Sequence, residues 1–210
     1  MGAALLAAAV LGGIVAWSLA EYLLHRCAMH VMRGRGVMSR AHLEHHARPA
    51  WRWSAIDLLS WAGIVAAALG AWLPLGWWLG GLGAGGALAA GWVAGYASYE
   101  YLHASAHRRA PRTAYGAWLR RHHLHHHFGH PMANHGVTSP LWDLVFGTFE
   151  APPTVRVPRR LAPAWLLDEQ GRRRPDMGAY VLVGRDVDVD DERVRALDRA
   201  RAFASLAPPD

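Results

Sequence analysis

The chain has a single cysteine, Cys27, and no lysine among its 210 residues. One cysteine excludes an intramolecular disulfide and any metal site built from several thiolates, so metal chemistry here must use imidazole and carboxylate. All 22 basic residues are arginine, and the net charge is +6. Because most of these arginines flank apolar stretches, they favour anionic lipid headgroups over nucleic acid as a partner.

Charge is scarce in the first hundred residues, which are largely apolar, whereas the rest of the chain is polar and rich in proline and arginine. The hydrophobic fraction of 52%, with 11 Trp, is high for a soluble domain of this length. We predict one membrane-embedded catalytic domain over residues 1–150. The tail over residues 151–210 is predicted to contain an extended Pro-rich segment, a weak strand at Tyr180–Val183 and a short helix near 191–206.

Three apolar stretches are long enough to cross a bilayer as helices, at residues 2–24, 55–73 and 77–102. Pro74-Leu75-Gly76 predicts the turn between the last two. A cleaved signal peptide is the alternative for the first stretch, but no basic residue precedes it and it exceeds a usual apolar core of about 7–15 residues. We therefore predict an all-α integral membrane protein with about three transmembrane helices and a helical cap that carries the histidines.

Three crossings would place residues 25–54 and 103–150 on the same side of the membrane, and these two segments contain all 14 histidines. They are also rich in arginine, while the opposite loop carries no charge, so the positive-inside rule predicts that the histidine side is cytoplasmic. The arginines concerned are Arg26, Arg33, Arg35, Arg40, Arg48, Arg52, Arg108, Arg109, Arg112, Arg120 and Arg121.

The histidines form four groups, and helical spacing lets several members of each converge. Residues three or four apart share a helix face, as in His42-Leu-Glu-His45-His46, in the pair His103 and His107, and in His123 with His126 and His127. Adjacent histidines lie about 100° apart around a helix and so suit two neighbouring metals better than one.

The first group, His25 and His30, differs because its members are five residues apart and diverge on a straight α-helix. We expect either that they serve different metals or that the helix ends between them. Glu21 precedes His25 by four residues and Glu100 precedes His103 by three, the spacing for a carboxylate that orients an imidazole. An ordinary interfacial carboxylate is the alternative for each.

The ligand types narrow the choice of metal. Neutral imidazole suits Fe, Zn, Cu and Ni, while the lack of several cysteines or of a dense carboxylate set argues against structural zinc and against Mg or Ca. About ten histidines exceed the coordination of one metal. Two irons are the expected occupants, because O2 chemistry beside a bilayer lets an apolar chain enter from lipid while the metals stay near the interface.

These motifs resemble the fatty acid hydroxylase superfamily, which also includes sterol desaturases, sterol methyl oxidases and carotenoid hydroxylases. The resemblance covers residues 21–148 and is closest to the fatty acid 2-hydroxylase branch. The fragments that carry it are Glu21-Tyr-x-x-His25-Arg-x-x-x-His30, His42-x-x-His45-His46, Gly95-Tyr-x-x-Tyr-Glu-x-x-His103-x-x-x-His107, His123-x-x-His126-His127-Phe128 and Asn134-x-Gly136-Val-Thr-Ser-Pro-Leu-Trp-Asp143-x-x-Phe-Gly147-Thr148.

The resemblance implies a membrane-bound non-haem di-iron oxidoreductase that uses O2 to hydroxylate a lipid from the bilayer, with a fatty acyl chain as the expected substrate. Electrons are expected from a separate protein of ferredoxin or cytochrome b5 type with its reductase, because we find no fused cytochrome b5 domain, and no fourth span, in this sequence. The metal ligands it implies are His25, His30, His42, His45, His46, His103, His107, His123, His126 and His127.

Other residues receive supporting or alternative roles by the same resemblance. Asp143, like Glu21 and Glu100, is expected to be a carboxylate that orients a metal-binding imidazole. His122 and His125 are register alternatives within their cluster, and these two, with His130 and His135, are expected to be solvated or hydrogen-bonded. Arg108 stands where fatty acid 2-hydroxylases tend to have a second histidine, so one ligand or substrate contact is expected to differ.

Three alternatives remain to be weighed. Desaturation, or hydroxylation of a sterol or carotenoid, would use the same kind of centre. A histidine-rich membrane metal-binding or transport protein would need ionisable residues inside its spans, and the predicted spans contain almost none. A membrane cytochrome b would place single axial histidines within facing helices instead of adjacent pairs at helix ends.

Overall fold

The computed structural model describes residues 2–49, 54–185, 187 and 190–208, so that Arg52 of the predicted basic face lies outside the described residues. The described chain is mostly helical. The helices are α1 (Ala3–Leu23), α2 (Val37–Ala47), α3 (Ala55–Ala67), α4 (Leu73–Gly80), α5 (Leu82–Arg108), α6 (Ala114–Phe128), α7 (Leu141–Phe146) and α8 (Glu192–Phe203). The strands are β1 (Val155–Pro158) and β2 (Tyr180–Val183), which pair in parallel with Val155 opposite Tyr180.

Two helices in the described part of the chain are long and apolar enough to cross a membrane. The first is α1 with its π-helical continuation Leu24–Val31, together Ala3–Val31, with a mean hydropathy of 2.1. The second joins α3, the π-helical segment Ala68–Trp72 and α4 into Ala55–Gly80, with a mean hydropathy of 1.8. Both expose large apolar side chains, such as Leu11 in the first and Trp78 in the second. The third predicted span falls on α5, which has 27 residues but is not among the described helices that meet this test.

The hairpin between the second and third predicted spans turns at a different residue from the one expected. The prediction of a turn at Pro74 is wrong, because the helix continues to Gly80 and reverses at Gly81. Pro74 lies in the first turn of α4, where its missing N–H costs little and the preceding π-helical segment relieves the crowding of its ring. Gly81 has φ +84°, a conformation that suits glycine.

Glycines let α1 and α5 approach closely. A Cβ built on Gly91 would lie 2.1 Å from the Val10 carbonyl oxygen, and one on Gly13 would lie 2.2 Å from the Leu88 carbonyl oxygen. Gly95 similarly faces the Trp17 side chain, so Gly91 and Gly95, four residues apart, form a helix-packing face. Next to this contact, the Trp17 ring meets Trp92 and Tyr96 edge-on at 5.3 Å and 5.0 Å between ring centroids.

The residues after Glu150 pack on the histidine-bearing helices. Val155, Val157, Trp165 and Leu166 form a buried cluster with Leu124 and Phe128 of α6. The Trp165 indole N–H donates to the Ala106 carbonyl at 3.0 Å. The predicted strand at Tyr180–Val183 is present, and the helix expected near 191–206 is α8.

Replacing Gly91 by alanine should destabilise the protein by about 1–3 kcal/mol, because the new methyl group would overlap the backbone of α1. The matched control is Gly86→Ala in the same helix, where a Cβ meets nothing within 4 Å and alanine should be neutral or stabilising. Thermal unfolding of both variants in detergent measures the difference, and equal midpoints would contradict the described packing of α1 on α5.

Candidate metal centre

Ten histidine side chains gather into two groups of five, and within each group one ring nitrogen from every member lies within 4.8 Å of the others. Each group therefore presents five nitrogens to one point. The first group is His25, His30, His42, His46 and His126, and the second is His45, His103, His107, His123 and His127. These are the ten residues that the sequence resemblance implied as ligands.

The spacing along α2 and α6 explains how each helix serves both groups. His42 and His46 are four residues apart on one face of α2 and join the first group, while His45 points to the second. In α6, His123 and His127 share a face in the second group, and His126 belongs to the first. Adjacent histidines thus separate between the groups, as the 100° rotation per residue predicts.

His25 and His30 both belong to the first group, contrary to the expectation that they would serve different metals or that the helix would end between them. The reason is that Leu24–Val31 is a π-helix. Its i to i+5 hydrogen bonds bring residues five apart onto one face, and such segments are frequent at functional sites.

The Nε2 atoms in each group are spaced like the ligands of one metal ion. In the first group, His42 lies 3.0 Å from both His25 and His30, and His126 lies 3.0 Å from His46. In the second, His107 lies 3.1 Å from His45 and 2.8 Å from His123. With metal–nitrogen bonds of about 2.1 Å, neighbouring ligands of an octahedron are about 3.0 Å apart and those of a tetrahedron about 3.4 Å. The observed spacing is nearer the octahedral value, and each group supplies five nitrogens.

Burial keeps these imidazoles neutral, which is the form that binds metals. Nine of the ten are buried and His45 is partly exposed. Loss of hydration, followed by the charge of neighbouring histidines, holds the pKa of His42, His46 and His126 well below the ordinary value. The same causes lower the pKa of His123 and His127, and burial lowers the pKa of His45 to about 4.

The loop after α6 orients two imidazoles of the first group. His25 Nδ1 donates to the His135 carbonyl at 2.5 Å, and His126 Nδ1 donates to the Ala133 carbonyl at 2.7 Å. A proton fixed on Nδ1 leaves the Nε2 lone pair directed into the group. Asp143 holds this loop by accepting the backbone N–H groups of His135 and Gly136, each at 2.8 Å. It therefore acts on the loop that orients the ligands.

The two glutamates have other partners than the expected imidazoles. The Glu21 carboxylate accepts the backbone N–H of Thr138 at 2.9 Å and its hydroxyl at 2.8 Å, while His25 uses the His135 carbonyl instead. Glu100 hydrogen-bonds with Tyr96. Glu21 thus ties α1 to the loop after α6, whereas the Glu100 contact lies within α5.

The remaining histidines lie outside the two groups. His122 donates to the Gly136 carbonyl at 3.0 Å, and His125 and His130 each form a hydrogen bond with Glu150 at 2.6 Å. All three are therefore hydrogen-bonded. His135 differs from the expectation of a solvated or hydrogen-bonded side chain, because its ring is fully buried and neither ring nitrogen has a hydrogen-bond partner among the described residues. Its Nδ1 lies 3.8 Å from a carboxylate oxygen of Asp143. The His135 ring lies 5.5–5.7 Å from His25, His30 and His126 between ring centroids. In the sequence, only its position within the motif Asn134-x-Gly136 indicated that His135 lies near the first group.

An apolar cavity of about 510 Å³ ends on the histidines. It lies between α1, α3 and α5, with Trp17, Ile64 and Tyr99 among its walls. His42 of the first group and His45 and His103 of the second line it, so a molecule in the cavity would contact both groups.

Comparison with known proteins agrees with this geometry. A model of the fatty acid hydroxylase family matches residues 10–148. The chain belongs to the fatty acid hydroxylase family. The resemblance stated from the motifs is thereby confirmed, and both histidine groups lie within the matched residues.

Named members of the family are distant relatives of this chain. A dihydroceramide fatty acyl 2-hydroxylase of Arabidopsis thaliana is 30% identical over 164 residues, covering 72% of this chain and 63% of its own length. The fatty acid 2-hydroxylase of Homo sapiens is 29% identical over 147 residues, covering 65% and 38%. The chain therefore spans less than two thirds of the length of these relatives. No solved structure matches it.

We expect His126→Ala to lower the metal content of the purified protein from about two ions per chain to about one, because the first group loses a buried ligand. The matched control is the neighbouring His125→Ala, which removes a histidine bonded to Glu150 outside both groups and should retain both ions. Elemental analysis of the two variants measures this, and equal metal content would contradict the assignment of His126 to a metal group.

Proposed function

We propose that this chain is a membrane-embedded, O2-dependent hydroxylase of fatty acyl chains, with one non-haem iron in each histidine group. The observation that carries the proposal is the apolar cavity that ends on His42 and His45, one from each group. An alkyl chain in this cavity would present its carbon atoms to both metal positions while the walls exclude water.

Iron is the proposed metal because the donors are all imidazole, the nitrogen spacing suits six-coordinate ions, and the chain belongs to a family of hydroxylases. When bound, the iron pair supplies the O2-derived oxidant that can attack an unactivated C–H bond. The ten histidines would hold the two ions, and the Nδ1 contacts of His25 and His126 to the loop at residues 129–140 fix the direction of those two rings.

The proposed reaction is R–H + O2 + 2 e⁻ + 2 H⁺ → R–OH + H2O. One oxygen atom enters the lipid and the other leaves as water, so two electrons must come from outside the chain. We propose a separate electron-transfer protein, of ferredoxin or cytochrome b5 type with its reductase, as their source.

Membrane embedding supports delivery of the substrate from the bilayer. The two candidate spans expose apolar side chains, and α5 packs closely on α1 through glycines, which suggests that α5 is a third crossing. With three crossings, the arginine-rich histidine face lies on the cytoplasmic side by the positive-inside rule.

The names of the relatives guide the expected product. Because the Arabidopsis and human proteins are named for hydroxylation at carbon 2 of a fatty acyl chain, we propose the 2-hydroxy acyl group as the product. Desaturation of the chain, and hydroxylation of a sterol or carotenoid, are the competing outcomes.

Expression of the chain in a host with a competent reductase should produce lipids that have gained one oxygen atom, labelled when the cells are grown under oxygen-18 gas. Lipid mass spectrometry with fragment analysis identifies the product and the hydroxylated carbon. We expect His45→Ala to abolish the product, because it removes a ligand at the cavity end, whereas His130→Ala, at an exposed site bonded to Glu150, should retain it.

Three results would contradict the proposal. A loss of two hydrogens from the acyl chain would indicate a desaturase, and an oxidised sterol or carotenoid would change the substrate class. Unaltered lipids in a host with a working reductase would favour a metal-binding or transport protein.

A further inference from the structure

The turn that follows α8 contacts a histidine of the first group. The Ser205 hydroxyl lies 3.3 Å from His30 Nδ1, and His30 is fully buried. His30 Nε2 faces His42 and His126 at 3.0 Å and 3.1 Å, so Nδ1 carries the proton and donates to the Ser205 oxygen. Ser205 lies 57 positions beyond the residues matched by the family model, which end at 148.

The backbone at the end of α8 places this hydroxyl. Ser205 has φ +53°, in the left-handed region that few residues other than glycine adopt. Its N–H donates to the Ala202 carbonyl and that of Leu206 to the Arg201 carbonyl, each at 2.9 Å. These two bonds are the pattern of an α-helix that ends on a residue in the left-handed conformation. The chain reverses there, and the Ser205 side chain faces His30.

Several contacts dock α8 onto the elements that carry the first group. A Cβ built on Gly34 would lie only 2.6 Å from the Phe203 ring, so this ring packs closely against Gly34. Arg199 pairs with Glu44 of α2 at 2.7 Å. Arg160 and Asp198 form a second ion pair at 2.5 Å, with both side chains only 9% exposed. The segment is thus held from α2 and from the turn after the π-helix.

The same segment closes over the histidines. Leu206 and Pro208 lie against His46 of the first group and His127 of the second, across a gap of only about 10 Å³. Residues of this segment therefore lie at His46 and His127, whereas the apolar cavity reaches His42, His45 and His103.

We propose that residues 192–208 form part of the metal centre and that Ser205 is a positioning residue for the His30 imidazole. Backbone carbonyls orient His25 and His126 within the family-matched residues, and the tail supplies the third such contact. In the second group, Nδ1 of His123 and of His127 has no partner among the described residues. The Ser205 hydroxyl thus contacts a ring nitrogen of the first group, at His30. This inference rests on the proposed di-iron centre and adds a residue to it.

The test is Ser205→Gly, which keeps the left-handed backbone and removes only the hydroxyl. We expect affinity for the first group's iron to fall about 10-fold or more, as for loss of other outer partners of metal-bound histidines. Anaerobic iron titration against a chelator measures affinity, and Mössbauer spectroscopy should show one iron signal altered and the other unchanged. Ser205→Asn, which tolerates this backbone and retains a side-chain acceptor, should restore much of the affinity.

Arg33→Gly is the matched control. Arg33 is exposed and has φ +47°, so glycine again replaces a residue in the left-handed conformation, but no contact to a ring nitrogen is removed. Unchanged iron affinity and spectra in Ser205→Gly would refute the positioning role. Equal weakening of both irons together with a lower unfolding temperature would also refute it, since that pattern marks a general loss of structure. Because the titration needs no lipid substrate, failure of lipid hydroxylation with these iron effects intact would refute the proposed function alone.

Discussion

The centre of this protein depends on bringing ten neutral imidazoles together with their nitrogen lone pairs facing inward at about 3 Å. Lone pairs at that distance repel one another unless a cation lies between them, and burial prevents protons from serving as that cation because the pKa values are lowered. A metal ion in each group would satisfy five lone pairs at once. This requirement explains why so many separate elements converge on one small volume.

The rest of the fold supplies fixed positions for these rings. The π-helix aligns His25 with His30, α2 and α6 each divide their histidines between the groups, and Asp143 holds the loop whose carbonyls orient His25 and His126. The apolar cavity reaches His42, His45 and His103, while residues of the segment 192–208 lie at His46 and His127.

Local periodicity was sufficient to predict which histidines share a helix face, because three- and four-residue spacing directly encodes it. Periodicity did not predict that His25 and His30 belong to one group, because the helix there is a π-helix. It also placed a turn at Pro74, where the helix continues after a preceding π-helical segment. Contacts between distant residues could not be predicted either. The bond from His25 to the His135 carbonyl spans 110 residues, and the contact of His30 with Ser205 spans 175. Nothing in the local pattern at Glu21 distinguishes Thr138 from His25 as its partner.

The central claim is that the two histidine groups hold two irons, and the most direct test is metal analysis of the intact purified protein after anaerobic reconstitution with iron in the presence of competing zinc. We expect about two irons per chain, with Mössbauer signals of six-coordinate, nitrogen-rich sites. A single zinc per chain, with no second metal bound, would contradict the claim.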